Sequence, residues 1–332
     1  MKNNKMKKTS NLPQISIIVL NWNGKKYIRK CLKSIFNSNY PKDKLEVIVV
    51  DNASIDGSDR IVENEFPSAI LIKNSKNLGF CKANNIGIKR STGDIIVLLN
   101  NDTFVDKNWL IEIIKAMNKS NVGVVGCRLL YPNGKVIQSC GCKEIFLGYW
   151  EHIAAGLRTE KFDCEDEFEV DYVSGAALAI KRKVLESIGL LDSSFWAYVE
   201  DVDLCYRAKR AGYKVVIAPK AIVYHYGSAS WRKFPLKQLF LQYRNRIIFI
   251  WKNYKGICLL RYFLEYPILL TLTSLRNFLR KETTTQKLAA RLQSKNILRE
   301  LFRKYLLNLL FFYITLGPGL LMCRFSGLRV KR

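Results

Sequence analysis

Neither of the common glycine-rich phosphate cradles occurs in this chain of 332 residues. No G-x-G-x-x-G follows the first apolar run, and G-x-x-x-x-G-K-[ST] is absent throughout. That excludes the usual dinucleotide fingerprint and a P-loop, so any nucleotide has to be held by side chains and metal. Cysteine lacks a framework. The nine residues are an odd number with scattered spacing, which fits reduced thiols in a cytosolic protein rather than disulfide staples. Cys140-Gly-Cys142, with Cys127, Cys164 and His152 as partners, lacks the second close pair expected of a zinc site. Histidine is scarce, at two residues. The lysine-rich start, Met1 to Ser10, lacks the apolar core of a signal peptide, so residues 1–12 read as a basic tail.

Acidic residues are also few: 28 against 54 Lys and Arg, a net charge of +26. The shortage is local. Residues 231–332 hold 3 acids and 21 bases, whereas 1–230 hold 25 and 33. The same last third is rich in Leu, Phe, Tyr and Ile. Basic charge mixed with apolar bulk suits an anionic membrane surface better than a nucleic-acid groove. No nucleic-acid recognition motif accompanies the charge, and a nucleic-acid partner is not expected. Tyr305 to Cys323 is uncharged for 19 residues, close to the length of a span. Pro318 between Gly317 and Gly319 breaks that run, Asn308 lies inside it, and basic residues flank both ends. The pattern favours an interfacial or re-entrant segment with both flanks cytoplasmic, over a span or burial in protein.

What is plentiful is apolar residue, 48% against 25% charged. This is enough for a sizeable core and excludes both a disordered chain and a polytopic membrane protein. The first half alternates strand and helix. Strands are expected at Ile15–Leu20, Leu45–Val50, Ala69–Ile72 and Asp94–Leu99, with helices at Lys25–Asn37, Gly57–Glu65 and Gly79–Arg90 between them. That alternation predicts an α/β fold with a mostly parallel sheet covered on both faces. Further on, Asn108–Met117 reads as helix, Val122–Leu130 as a strand, Val170–Ile180 as an apolar strand interrupted by Ser174-Gly175, and Asp201–Gly212 as a helix closed by glycine. Tyr213–Ala218 and Ile222–His225 read as two more strands. Helical spacing returns in Leu236-Leu239-Phe240-Tyr243 and Ile247-Ile248-Ile250-Trp251.

In parallel α/β sheets, ligands gather at the carboxyl ends of the strands. Here those ends read Asn21-Trp22-Asn23-Gly24, Asp51-Asn52-Ala53-Ser54 and Asn100-Asn101-Asp102-Thr103. One such cluster is ordinary turn chemistry, whereas three on successive strands make a lined pocket. Asp51 can accept hydrogen bonds from a base or ribose. Asp102 can hold a divalent cation, because Mg²⁺ typically uses one or two carboxylates and completes its shell with substrate phosphates. Glu200-Asp201-Val202-Asp203 places three acids at a helix start. They either serve the helix dipole or provide a general base whose pKa is raised by crowding. His225 ends an apolar strand beside Gly227 and Ser228, where it is either structural or a phosphate or metal contact.

Taken in order, these segments resemble the family-2 inverting glycosyltransferases, in particular the rhamnosyltransferase-like group. The motifs are Ile17-Ile18-Val19-Leu20-Asn21-Trp22-Asn23-Gly24, Val50-Asp51-Asn52-Ala53-Ser54-Ile55-Asp56-Gly57-Ser58, Asn77-Leu78-Gly79-Phe80 with Asn84, Asn85 and Gly87, Leu99-Asn100-Asn101-Asp102-Thr103, Glu200-Asp201-Val202-Asp203-Leu204, and His225. The resemblance covers about residues 13–255. It implies a GT-A fold, a nucleotide-diphosphate sugar donor, and Mg²⁺ or Mn²⁺. It places Asp51 on the donor nucleoside and the segment from Asn77 to Gly87, with Gly79 and Asn84, against nucleotide and sugar. Asn21, Asn23, Asn52, Ser54 and Asn101 complete the expected donor side.

Asp102 matches the metal-binding last Asp of the family's D-x-D element, whose first position is Asn100 here. Asp201 matches the catalytic base, with Glu200 its neighbour, and His225 matches a histidine that meets metal or pyrophosphate. Gly175, Trp196 and Tyr198 are expected to line the acceptor cleft. The Q-x-x-R-W motif of processive synthases is absent, and Arg244-Asn245 resembles a pair common in the rhamnosyltransferase-like group. The organisation expected is a catalytic domain over 13–230 and a helical, membrane-associating region over 231–332. The expected enzyme is a peripheral one on the cytoplasmic face of the cell membrane, acting on a lipid-linked or other saccharide acceptor. The sequence leaves a homodimer open. A polyanion-binding protein or a catalytically silent scaffold of the same fold are the competing readings.

Overall fold

The computed structural model describes residues 12–227, 235–259, 261–262 and 264–265. These fall into two compact units, 12–145 with 150–227, and 146–149 with the described part of 235–265. The stretch from Tyr305 to Cys323 and most of the basic last third lie outside the described residues.

The first unit opens as the alternation predicts. Strand β1 (Ile15–Asn21), helix α1 (Ile28–Phe36), β2 (Leu45–Asp51), α2 (Ser58–Glu65), β3 (Ile70–Lys73), α3 (Gly79–Arg90) and β4 (Ile95–Asn100) follow one another. Ile15, Ile17, Ile18 and Val19 are fully buried, as continuous apolar strands covered on both faces must be. Strand pairing is parallel along β3-β2-β1-β4. Asn21 stands level with Asp51 in that register, so the polar strand ends share one edge. Helix α3 approaches the sheet closely at Gly87, where a Cβ would lie 2.6 Å from the Ile18 side chain.

Beyond β4 the sheet becomes mixed. The chain continues through β5 (Thr103–Val105), α4 (Trp109–Met117), β6 (Val122–Leu130), β7 (Ile137–Ser139), β8 (Cys142–Phe146), β9 (Tyr149–His152), β10 (Phe168–Glu169), β11 (Ala177–Lys181), α5 (Arg182–Ile188), α6 (Glu200–Arg210) and β12 (Lys214–His225). The order is β10-β12-β6-β11-β4-β1-β2-β3, with β5 on β12 and β7 on β6. Strand β11 runs antiparallel between β4 and β6, while β6 and β12 are parallel. Strands β8 and β9 form a separate two-stranded sheet.

Two expected elements changed form. The stretch expected as a strand over Val170–Ile180, interrupted at Ser174-Gly175, is a strand only from Ala177; the chain turns at that interruption, where the Ser174 carbonyl accepts from Ala177 N–H at 3.2 Å. The two strands expected at 213–225 are one, β12, which absorbs Pro219 in a register shift between Ala218 and Ile222, a bulge being where a sheet tolerates proline.

In the second unit the predicted helical spacing is realised as α7 (Pro235–Asn253). Tyr243, Ile247, Ile248 and Ile250 are buried, whereas Leu236 and Trp251 are exposed. The Arg244 guanidinium donates to the Asn245 carboxamide oxygen at 2.9 and 2.7 Å, joining the pair that the sequence singles out. No described helix is long and apolar enough to cross a membrane.

Candidate active site at the strand ends

The three polar strand ends meet. Asn21 is fully buried. Its amide donates to Asp51 Oδ1 at 2.7 Å and Ser58 Oγ at 2.8 Å, and its carbonyl accepts from Asn101 Nδ2 at 2.8 Å. The other Asp51 oxygen caps the following turn through Ser54 N–H at 2.9 Å. Ser54 Oγ accepts from the Asn23 backbone at 2.9 Å, and Asn23 Oδ1 accepts in turn from Ile55 N–H at 2.9 Å. Asn23, Asp51, Ser54 and Asn101 thus share one network centred on Asn21. Gly24 fits because a Cβ there would run into the Asn21 and Asn101 carboxamides.

A second asparagine holds the adjoining wall. Asn52 donates to Asn77 Oδ1 at 2.9 Å and accepts from Leu78 N–H at 2.9 Å. Asn77 Oδ1 also accepts from Gly79 N–H at 2.9 Å, which sets the entry into α3. Asn84 is buried within that helix, bonded to the Phe80 carbonyl at 3.0 Å. Gly79 adopts φ +81° and a Cβ there would lie 2.7 Å from the Trp196 ring, so only glycine fits beneath that indole.

Trp196 in turn caps α3: its carbonyl accepts from Phe80 N–H at 2.7 Å and Cys81 N–H at 3.1 Å. Trp196, Tyr198 and Val199 all have positive φ, of 64°, 72° and 70°. Three non-glycine residues in the left-handed region within four positions store local strain. That strain sits immediately before α6, the helix that carries the carboxylates.

Asp201 is half-buried and reaches back to the turn before β11. Its Oδ2 accepts from Gly175 N–H at 2.9 Å and its Oδ1 from Val202 N–H at 2.9 Å. Burial raises its pKa above the ordinary carboxylate range, and the two backbone hydrogen bonds oppose that rise. Glu200 is buried, and its Oε2 has no hydrogen-bond partner among the described residues. Burial, and after it the Asp201 charge, push Glu200 well above its ordinary value. The third acid of the cluster is structural. Asp203 is fully buried and pairs with Arg207 at 2.8 Å, one turn along α6.

Asp102 and His225 come together across β5 and β12, whose register pairs Thr103 with His225. Asp102 Oδ1 lies 3.2 Å from His225 Nε2, and the Asp102 carbonyl accepts from Tyr226 N–H at 3.0 Å. Both residues are buried, at 6% and 9% exposure. Nε2 nevertheless makes no hydrogen bond among the described residues. A buried carboxylate oxygen and a bare imidazole nitrogen facing each other suit a hard or borderline divalent cation. They offer two protein ligands and leave the rest of the shell to phosphate and water. Among the described residues, no group of three or more His, Cys, Asp or Glu side chains is placed to hold a metal by itself. Cys142 Sγ and His152 Nδ1 approach to 3.0 Å, but no third ligand joins them among the described residues, and burial pushes the Cys142 thiol up to about 12.

The two halves of the site are connected through backbone. Asn100 N–H donates to the Ala176 carbonyl at 3.0 Å, and the preceding residue, Gly175, holds Asp201. Sequence reasoning missed Gln138, which contacts His225 Nδ1 at 2.6 Å, and Asn85, which clasps the Leu191 backbone at 2.8 and 3.1 Å. Asn85 stands in one of the motifs quoted above, whereas nothing around Gln138 in the sequence signals its role.

The family model described as glycosyl transferase family 2 matches residues 16–189. The chain belongs to glycosyl transferase family 2. It is 30% identical over 236 residues to an uncharacterized protein, y4gI, of Sinorhizobium fredii, covering 66% of this chain but only 25% of that protein. It is 24% identical over 235 residues to the N-acetylglucosaminyl-diphospho-decaprenol L-rhamnosyltransferase of Mycobacterium tuberculosis, covering 64% of this chain and 76% of that one. Among solved structures, a mannosyltransferase of Pyrobaculum calidifontis in complex with GDP-Man and Mn²⁺ superposes with a TM-score of 0.57 at 20% identity, over 98% of this chain and 89% of that one. The family and the GT-A fold implied by the sequence motifs are therefore borne out. The sheet of that fold is parallel in its first half and mixed in its second.

The buried Glu200 has a consequence for stability. A folded-state pKa above the unfolded value means that the folded chain keeps a proton the unfolded chain gives up. Stability from this group is full below about pH 4.3, the ordinary value, and falls as pH rises toward the raised one. The Glu200→Gln variant removes that dependence. Its stability relative to wild type, measured by denaturant unfolding, is expected to increase with pH over this window. Parallel pH profiles for the two proteins would contradict the assignment.

Proposed function

We propose that this protein is an inverting, metal-dependent glycosyltransferase that moves a hexosyl or deoxyhexosyl unit from a nucleotide-diphosphate sugar to a saccharide acceptor in cell-surface glycan synthesis. The observation that carries this reading is the approach of Asp102 to the bare, buried Nε2 of His225 at the strand ends, with Asp201 held on the neighbouring turn. A rhamnosyl donor is favoured by the resemblance of the motifs and by the Mycobacterium relative.

In this reading the walls built by Asn21 and Asn52 receive the nucleotide. Asp51 and Asn23 face the nucleoside, and Gly79 brings the α3 entry against the sugar. Asp102 and His225 would hold Mg²⁺ or Mn²⁺, which when bound supplies electrostatic stabilisation of the leaving diphosphate. The acceptor hydroxyl enters beside Gly175, Trp196 and Tyr198. Asp201 takes its proton as the oxygen attacks the anomeric carbon from the face opposite the diphosphate. One carboxylate is sufficient for inversion. Glu200 lies buried beside Asp201 with its pKa pushed well above the ordinary value, which disfavours a second negative charge on the pair. The Gly175 and Val202 amides hold the Asp201 carboxylate in one orientation.

A panel of nucleotide sugars assayed for turnover with Mg²⁺ or Mn²⁺ tests the activity. Asp201→Asn is expected to lower turnover by about 10²–10⁴, the usual worth of a general base, with little change in donor affinity. Asp102→Ala is expected to abolish metal-dependent donor binding in calorimetry. Near-normal turnover in Asp201→Asn together with its loss in Glu200→Gln would reverse the two roles. No turnover of any donor by wild-type protein would favour the silent scaffold.

The charge distribution bears on place as well. The excess of 21 bases over 3 acids in residues 231–332 favours a peripheral enzyme on the cytoplasmic membrane face with a lipid-linked acceptor, since each Lys or Arg near an anionic surface is worth about 1 kcal/mol. Full-length protein is expected to co-sediment with anionic liposomes at low salt and to be partly released as salt rises. Protein that stays in the supernatant at low salt would rule this out.

A further inference from the structure

His225 can serve a cation only if its proton is on the other ring nitrogen. Nδ1 lies 2.6 Å from the side-chain oxygen of Gln138. A carboxamide oxygen only accepts, so Nδ1 carries the hydrogen and Nε2 presents its lone pair to Asp102. Were the proton on Nε2 instead, that nitrogen would have no lone pair for a cation, and in this geometry its N–H makes no hydrogen bond to the Asp102 oxygen 3.2 Å away.

The backbone is built to deliver this contact. Strand β7 pairs with β6 as Leu129↔Ser139 and then Leu130↔Ile137, so Gln138 is the extra residue of a bulge. Bulges re-aim a side chain out of the regular alternation. Ile137 and Ser139 on either side are buried at 0% and 2% exposure, which anchors the bulge. Gly227, two residues past His225, has φ +75°, and a Cβ there would lie 2.9 Å from Gln138 Nε2. That close contact packs the Gln138 carboxamide between Gly227 and the imidazole.

We propose that Gln138 is a positioning residue that fixes the His225 tautomer and so preforms the divalent-cation site. The inference rests on the proposed cation role of Asp102 and His225. Partners of this kind orient a metal-binding imidazole and raise its basicity, and their loss typically costs about 10–100-fold in metal affinity. Gln138→Met keeps the bulk and removes the acceptor, so nothing then holds the proton on Nδ1. Gln138→Glu restores an acceptor at Nδ1.

With two histidines in the chain, ¹⁵N-histidine labelling gives a spectrum simple enough to read the tautomer directly. The His225 signals are those lost in His225→Asn. Above the ordinary histidine pKa range, wild-type protein and Gln138→Glu are expected to show the Nδ1–H ring, and Gln138→Met a ring shifted toward Nε2–H. Mn²⁺ titrated with inorganic pyrophosphate present is expected to broaden the His225 signals. The midpoint should rise about 10–100-fold in Gln138→Met and recover in Gln138→Glu. An Nε2–H ring in wild-type protein overturns the role of Gln138, as does a Gln138→Met variant with wild-type tautomer or wild-type midpoint. A wild-type His225 that Mn²⁺ does not broaden overturns the cation role of Asp102 and His225 itself, whatever its tautomer.

Discussion

The side chain of Asn21 is the junction on which the candidate site depends. It stands at the end of the strand between β2 and β4, and its carboxamide joins all three strand ends. Its amide bonds Asp51 and Ser58, and its oxygen takes the Asn101 amide. None of these groups is left to water: Asn21, Asp51, Ser58 and Asn101 are buried. Removing the carboxamide would orphan several polar atoms at once, each costing about 1–3 kcal/mol when buried without a partner. A network of this kind fixes geometry as well as stability. The turns that carry Asn23, Ser54 and Asp102 leave the sheet from positions set by this one residue.

From that junction the site extends in two directions. Along β5 and β12 the polar edge continues into Asp102 and His225, where a buried carboxylate faces a bare ring nitrogen. Along β11 the Asn100 to Ala176 hydrogen bond passes to the turn whose Gly175 amide holds Asp201. One end brings a buried carboxylate beside an imidazole, and the other crowds two carboxylates whose pKa values burial raises. Backbone hydrogen bonds hold Asp201, and the Gln138 side chain holds His225. Trp196 adds a third constraint, with its carbonyl capping α3 and its ring covering Gly79. The strained turn before α6 is thereby tied to the helix that follows the Asn52 and Asn77 wall.

Much of this was legible in the sequence. Gly79–Arg90 and Val122–Leu130 are realised residue for residue: the helix opens on a glycine and ends before Ser91-Thr92-Gly93, and the strand is an apolar run that ends before Tyr131-Pro132. The strand ends were legible because polar runs of short side chains interrupt β-branched segments. The remainder depends on non-local pairing. Strands β5 and β7 have three residues each, too short for any period to show, and they exist because β12 and β6 offer edges. Pro219 reads as a strand breaker, but a bulge carries β12 past it. The antiparallel insertion of β11 between two parallel pairs leaves no trace in local sequence. Gln138 was invisible for the same reason, since a register shift aims it.

The central claim is that the strand-end edge is a site for a divalent cation and a diphosphate, held at Asp102 and His225. Anomalous diffraction at the manganese edge, from crystals grown with Mn²⁺ and a nucleoside diphosphate, addresses it directly. The account predicts an anomalous peak bridging Asp102 and His225 Nε2, with the diphosphate beside it and the nucleoside toward Asp51. A peak at Cys142 and His152, or a nucleotide bound away from the strand ends, would contradict it.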